Sequence, residues 1–222
     1  MLRKQRYETI LAYFSEKMPK VTTELEFGSV FQLLVATVLS AQCTDKRINQ
    51  VTPELFRHYP DPKSMSQAEV EDIFALISSV SYPNSKAKHL SEMSKMLVKE
   101  FGGDVPDTME DLQKLPGVGR KTANVVQAVA YGRSAIAVDT HVFRVSHRLG
   151  LVSSKANTPA KVEEELKKNI PEDKCADAHH WLLLHGRYVC RAQRPLCLEC
   201  ALTPWCRHYA KQRRPLTQDG AQ

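Results

Sequence analysis

The chain has 222 residues, 42% of them hydrophobic and 25% charged, which is ordinary for a globular protein of one domain or two small ones. The N-terminal segment lacks the apolar region of a signal peptide, and the longest apolar stretch, residues 31–39, is too short to cross a bilayer. These features predict a cytoplasmic protein with no membrane partner. The net charge of +6 favours a polyanionic partner, although many basic proteins bind nothing acidic.

Helical spacing of apolar residues predicts an all-α protein, since strand-like alternation is scarce. Gly102-Gly103 is predicted to stop one helix, Thr158-Pro159 to begin another, and Asp107 with Glu110 resembles a capping box. The tail from Arg207 onward is polar and basic and is expected to be disordered at its end. The predicted helices span residues 3–17, 27–41, 45–58, 66–77, 85–101, 107–115, 120–131, 140–149, 158–169 and 174–189.

Residues 107–131 predict two helices joined by a tight turn, and the second helix is apolar almost all round, which predicts deep burial. Proline fixes its own φ and glycine accepts a positive φ, so the chain can reverse there with few side chains in the way. Backbone amides of the turn and of the next helix can then approach a DNA phosphate. A plain helical corner is the alternative. The predicted DNA contacts of this segment are Pro116, Gly117, Val118, Gly119, Arg120 and Thr122.

Lys121 falls in the first turn of the second helix, beside Arg120. The positive end of the helix dipole, the neighbouring cation and partial burial would all disfavour the protonated amine. A neutral amine can attack a sugar carbon and form a Schiff base. From these residues alone, a phosphate-binding cation is an equally good interpretation.

Asp139 precedes an amphipathic helix with apolar residues at Val142, Val145 and Leu149. Aspartate is a favoured N-cap residue, so capping alone explains its presence. A catalytic carboxylate is compatible with capping, because a cap lies where a helix begins.

Four of the six cysteines, Cys190, Cys197, Cys200 and Cys206, lie within 17 residues. In a chain without an export signal, this clustering indicates metal or cluster ligation rather than disulfides. A single C-x-x-C with wide outer spacings argues mildly against zinc, but zinc and a [4Fe–4S] cluster both stay open on this basis. Cys43 and Cys175 fall outside this pattern and are interpreted as buried or idle thiols.

Basic residues cluster around the first of these cysteines. A loop held at both ends by thiolates would present cations to DNA phosphates at little entropic cost. The predicted contacts are Arg187, Arg191 and Arg194. Gln42, between an apolar helix and the next one, is either a helix-end residue or a further DNA contact.

Four motifs in this order resemble the endonuclease III family over residues 7–208: L-S-x-Q-x-T-D at 39–45, L-P-G-V-G-R-K-T-A at 115–123, A-V-D-T-H at 137–141, and the cysteine spacing of 190–206. The resemblance implies a two-lobed all-α helix–hairpin–helix fold. A helical-barrel domain would span residues 22–132, and residues 1–21 plus 133–222 would form a cluster domain, with DNA lying across the groove between them.

The resemblance also implies the residue roles. Lys121 would be the nucleophile and Asp139 the catalytic aspartate, while Gln42 would fill the gap left by a base flipped out of the duplex. The four cysteines would hold a [4Fe–4S] cluster with a structural role. The expected enzyme acts as a monomer in the cytoplasm, at the nucleoid. It excises oxidised pyrimidines from double-stranded DNA and cleaves the strand 3′ to the abasic site by β-elimination.

One segment departs from the pattern: relatives often have glycine in it, whereas this chain has Ser81-Tyr82-Pro83-Asn84 before Lys86. In the family this segment is thought to face the lesion, so the departure affects the range of bases accepted. Two alternatives stay open from the sequence. One is a monofunctional mismatch or adenine glycosylase on the same scaffold, and the other is a non-catalytic iron–sulfur DNA-binding protein.

Overall fold

The structure is a computed structural model that describes residues 2–19 and 21–213. Within these ranges the chain is helical and contains no strand, which confirms the all-α prediction. Short 3₁₀ turns occur at Glu172–Lys174, Cys197–Glu199 and Thr203–Trp205. The helices are α1 (Arg3–Lys17), α2 (Val30–Leu39), α3 (Asp45–His58), α4 (Pro62–Ser66), α5 (Val70–Ile77), α6 (Pro83–Glu100), α7 (Met109–Lys114), α8 (Arg120–Tyr131), α9 (Thr140–Leu149), α10 (Pro159–Asn169), α11 (Cys175–Tyr188) and α12 (Arg207–Gln212).

Several predicted helix ends are confirmed by their capping geometry. Thr158 is the N-cap of α10 and Pro159 its first residue. Gly102 and Gly103 follow α6 with φ of 65° and 91°, and the amide of Gly103 bonds back to the carbonyl of Leu97. Glycine is favoured at such left-handed helix ends because it has no Cβ to clash.

The predicted capping box at Asp107 is wrong. Thr108 is the N-cap of α7, and its hydroxyl accepts a hydrogen bond from the amide of Asp111 at 3.1 Å. Asp107 lies one residue too early to cap and instead forms an ion pair with Arg133.

The pattern also missed two short helices. Asp61 caps α4 by accepting from the amide of Ser64, so the single helix predicted over 66–77 is replaced by α4 and α5. Arg207–Gln212 form α12, a helix that the pattern did not predict. The disorder expected at the end of the tail concerns residues 214–222, which lie outside the described ranges.

The chain divides into two compact units. The central unit is Thr23–Arg133, and the terminal unit combines Met1–Thr22 with Ser134–Gln222. These boundaries lie one residue from those that the resemblance implied.

The core of the central unit is built around α2, eight of whose ten residues are buried. Such a helix is apolar on every side and needs neighbours all round it. Helices α3, α6 and α8 pack against it. The segment that follows α2 therefore leaves a buried core and is exposed at Ala41 and Gln42.

The terminal unit is held together by contacts between the two ends of the chain. Phe14 of α1 stacks on Trp181 of α11 with ring centroids 6.0 Å apart, and the Trp181 indole donates to the carbonyl of Met18 at 2.9 Å. Helices α9 and α11 pack closely, because a Cβ on Gly186 would come within 2.8 Å of the His141 Cβ. No helix in the described residues is both long and apolar enough to traverse a bilayer.

Candidate catalytic and DNA-binding sites

The turn between α7 and α8 is anchored in the core and requires glycine. Leu115 and Val118 are buried on either side of it, and the amide of Val118 donates to the carbonyl of Leu115 at 3.0 Å. Gly117 has φ of 77°, and a Cβ there would come within 3.0 Å of the Cβ of His89. Both the backbone angle and the contact with α6 therefore exclude a larger residue without strain.

The start of α8 lacks a side-chain cap. Its N-cap residue is Gly119, whereas Thr108 caps α7 and Asp139 caps α9 through their side-chain oxygens. The first amides of a helix point along its axis at the positive end of the dipole, which suits a phosphate oxygen. Gly119 and Arg120 are exposed, so this helix end lies at the surface.

The structure refines which parts of the turn could bind DNA. The Val118 side chain is buried and its amide is already bonded within the turn. Arg120 is exposed and Thr122 half-buried in the first turn of α8. The expectation that α8 is buried all round is wrong, since Ala123, Val126 and Ala128 are buried while Val125 and Val129 are half-exposed.

Lys121 is exposed, contrary to the expected partial burial. Among the residues that the structure describes, it has no ion pair and no hydrogen bond from its amine. It is thus a primary amine in the same helical turn as the uncapped amides. An amine without a structural partner can react with a sugar or neutralise a phosphate.

Asp139 caps α9 with only one of its two carboxylate oxygens. Its Oδ1 accepts from the amides of His141 and Val142, each at 2.8 Å, which confirms the capping prediction. Its Oδ2 has no hydrogen-bond partner within residues 2–19 and 21–213. The side chain is half-buried, so a carboxylate oxygen is held in a fixed direction.

Arg144, which the sequence analysis missed, ties the start of α9 to the end of α11. Its guanidinium donates to the carbonyls of Gly186 at 2.9 Å, Cys190 at 3.1 Å and Thr140 at 3.3 Å. The segment that begins at Asp139 is therefore braced against the first cysteine of the cluster. The available signal was an arginine within the amphipathic helix α9, two residues after Val142.

The four clustered cysteines line one cavity of about 20 Å³ in the terminal unit. None of them forms a disulfide. Burial raises the pKa of Cys197 and Cys200, so these thiols need a nearby positive charge to become thiolates. No group of three or more His, Cys, Asp or Glu side chains in the described ranges has the arrangement of a site for one metal ion.

A nitrogen atom lies near each of three of the four sulfurs. Arg148 approaches the Cys190 sulfur at 3.5 Å, the Tyr209 amide approaches Cys206 at 3.5 Å, and His185 Nε2 lies 3.8 Å from Cys200. Burial lowers the pKa of His185 to about 4, so its ring is neutral. The N–H groups of Arg148 and Tyr209 would stabilise negative charge on the sulfurs of Cys190 and Cys206.

Arg148 also holds the loop that follows Cys190. Its guanidinium donates to the carbonyls of Arg191 at 2.6 Å and Ala192 at 3.0 Å. The predicted phosphate contacts Arg191 and Arg194 are both exposed on this loop, and Arg187 is half-buried before it. Two arginines are thus displayed on a loop whose backbone is fixed by a third.

Gln42 does not cap a helix. Helix α2 ends at Leu39 with Ser40 as its C-cap. Gln42 is exposed with φ of 56°, and its carbonyl accepts from the hydroxyl of Ser81 at 2.7 Å. Its side chain therefore projects from a turn that other residues hold.

Comparison with known proteins places the chain in a superfamily. Residues 35–172 match the family described as HhH-GPD superfamily base excision DNA repair protein. Endonuclease III of Synechocystis sp. is 46% identical, covering 92% of this chain and 93% of the relative. Endonuclease III of Bacillus subtilis is 43% identical and covers 96% of each chain, and that of Escherichia coli K12 is 41% identical and covers 95% and 99%.

Solved structures agree. A trapped endonuclease III–DNA covalent intermediate is 42% identical, with a TM-score of 0.89 over 96% of this chain and 100% of that one. A thermostable thymine-DNA glycosylase is 21% identical with a TM-score of 0.84, which shows a shared fold.

The fold and these matches define a helix–hairpin–helix protein of base-excision DNA repair. Within that superfamily, the chain belongs to the endonuclease III family. It is accordingly a DNA-binding glycosylase and abasic-site lyase that acts on oxidised pyrimidines, as the sequence predicted. Membership in this family decides against the monofunctional and non-catalytic alternatives.

Gly117→Ala should destabilise the central unit more than Gly132→Ala. Both residues have positive φ, which costs about 1–2 kcal/mol for alanine, but only Gly117 faces a side chain, His89, at 3.0 Å. Overpacking should add about 1–3 kcal/mol to the loss at Gly117. Denaturant unfolding of the two variants measures the difference, and equal losses would contradict the packing argument.

Asp139→Asn and Asp139→Ala should separate capping from chemistry. Asparagine caps as well as aspartate, so only the alanine variant should lose about 0.5–2 kcal/mol of stability. If the carboxylate serves catalysis, both variants should lose base excision. Thermal unfolding and single-turnover excision measure the two effects, and an active asparagine variant would leave Asp139 with capping alone.

Proposed function

We propose that Lys121 is the nucleophile of this enzyme and Asp139 its catalytic carboxylate. The observation that carries the proposal is the exposed amine of Lys121, which has no partner in the described residues and stands in the helical turn whose amides lack a cap. A phosphate held by those amides would bring the adjoining deoxyribose close to the amine.

The proposed reaction begins with a deprotonated Lys121. Its nitrogen bonds to the anomeric carbon, the glycosidic bond breaks, and the base leaves with a proton. Opening of the sugar ring gives a Schiff base between Lys121 and the sugar. Loss of a C2′ proton then breaks the C3′–O bond, and hydrolysis of the imine releases the cleaved strand and the amine.

Asp139 is proposed to stabilise positive charge that develops on the sugar and to move protons during these steps. Two features support this role. Its Oδ1 is fixed by two amides, and its Oδ2 is left without a partner in the described ranges. A carboxylate held in this way needs little reorganisation as charge develops.

We infer that Cys190, Cys197, Cys200 and Cys206 hold a [4Fe–4S] cluster. Four thiols around one cavity fit its ligand set, and the four cysteines would hold the cluster together as thiolates rather than bind a single ion. The cluster would supply structural cross-linking, since neither excision nor β-elimination transfers electrons. It would fix the loop whose exposed residues Arg191 and Arg194 are proposed, with Arg187, to bind phosphates.

The remaining proposed contacts are the hairpin, Pro116 to Arg120 with Thr122, which would grip the backbone, and Gln42, which would fill the space of the flipped base. We also infer that the protein works in the cytoplasm at the nucleoid, where its DNA substrate is.

Lys121→Gln should abolish borohydride trapping on DNA with an abasic site, because no Schiff base can form. Turnover should fall by about three orders of magnitude or more. Arg120→Gln is the matched control, since it removes a cation from the same turn and should cost about tenfold, chiefly in binding. Wild-type trapping by Lys121→Gln would show that the nucleophile is misassigned.

The purified protein should contain about four irons per chain and absorb broadly near ~400 nm. Cys200→Ala should lose the absorbance and much of the soluble yield, while Cys175→Ala, which removes a buried thiol outside the cavity, should keep the iron. Iron and zinc analysis after anaerobic purification decides the matter. Stoichiometric zinc without iron would refute the cluster.

A further inference from the structure

Two exposed residues of the central unit share an unusual backbone conformation. Gln42 has φ of 56° and Tyr82 has φ of 55°, and neither is glycine. A left-handed conformation is strained for residues with a Cβ, so it persists only where neighbours impose it. We call residues 39–43 the Gln42 turn and residues 81–86 the Ser81 segment.

Lys86 forms hydrogen bonds to the backbone of the Gln42 turn. Its side chain is buried, and its Nζ donates to the carbonyls of Leu39 at 2.8 Å and Ala41 at 2.7 Å. Leu39 is the last residue of α2, so its carbonyl has no partner within the helix. Burial lowers the pKa of Lys86. Burying a charged amine costs free energy, and hydrogen bonds to the two carbonyls offset that cost.

Ser81 forms a further hydrogen bond to the backbone of the same turn. Its hydroxyl donates to the carbonyl of Gln42 at 2.7 Å. Three carbonyls of the turn, those of residues 39, 41 and 42, are therefore bonded by side chains of the Ser81 segment. Glycine at position 81 could not make this bond.

We propose that Ser81 and Lys86 are positioning residues for base flipping, because they fix the backbone of the turn from which the Gln42 side chain would enter the duplex. This inference rests on the proposed role of Gln42. A side chain that takes the place of a flipped base loses conformational entropy when it packs between the neighbouring bases. A turn that is already ordered in the free protein reduces the entropy lost during base flipping. A merely structural role would give stability alone.

The test is a double-mutant cycle of Ser81→Ala with Gln42→Ala, measured by single-turnover excision from duplex containing one oxidised pyrimidine. Gln42→Ala should slow excision by at least about tenfold, and Ser81→Ala alone by about three- to tenfold. In the Gln42→Ala background, Ser81→Ala should change the rate less than about twofold, since no side chain is left to position.

Lys86→Met and Lys88→Met form a matched pair on α6, because Lys88 is exposed and its amine lies 3.8 Å from the carboxylate of Glu92. Lys86→Met should slow excision at least about tenfold per folded molecule, and Lys88→Met should not change it. If Lys86→Met fails to fold, the Ser81 cycle decides alone.

Two results would overturn the proposal. One is an equal effect of Ser81→Ala in both backgrounds, and the other is wild-type excision by Gln42→Ala. Borohydride trapping of the same variants on abasic DNA reads the lysine chemistry separately. Lost trapping in Lys121→Gln together with an additive cycle would thus leave the proposed nucleophile intact while refuting the positioning role.

Discussion

The N-cap residue of helix α8 is a glycine, so no capping side chain bonds to the first amides of this helix. A serine or aspartate there would stabilise the helix by about 1 kcal/mol but would take up the donors that an anion needs. The residues of the preceding turn position this uncapped helix end. Gly117 permits the sharp reversal before it, and the buried residues Leu115 and Val118 fix its direction from the core.

The opposite solution is used at α9, where the capping residue is itself the proposed catalytic group. Asp139 bonds two amides with one oxygen, and the guanidinium of Arg144 braces the segment that follows against Gly186 and Cys190. Stability and chemistry are thus divided between two atoms of one carboxylate. Rigid placement of this kind lowers the reorganisation required when charge develops on a substrate.

Local patterns predicted much of the helical framework. The spacing of apolar residues and the capping signals marked α1, α3, α8 and α9 to the residue, and short motifs marked the hairpin and the cysteines. The failures were local as well. Short helices such as α4 have too few residues for a periodic signal, and the choice between Asp107 and Thr108 as a cap depends on one residue of register.

Side-chain bonds to distant backbone atoms were beyond prediction. Arg144, Arg148 and Lys86 reach carbonyls 42 to 47 residues away along the chain, and nothing in the local pattern specifies such partners. The exposure of Lys121 was also missed, because the apolar content of α8 suggested burial all round, whereas only one face is covered. These features depend on tertiary packing, which a local sequence motif does not specify.

The stacking of Phe14 on Trp181 has a consequence for how the chain folds as it is made. Helix α1 leaves the ribosome before α11, and α11, which covers it, is completed about 170 residues later, which is roughly ten to thirty seconds of synthesis. The apolar face of α1, with Ile10 and Leu11 beside Phe14, must wait uncovered for that time. The central unit is continuous in sequence and has no such delay. It can therefore fold while the residues that follow it are still being translated.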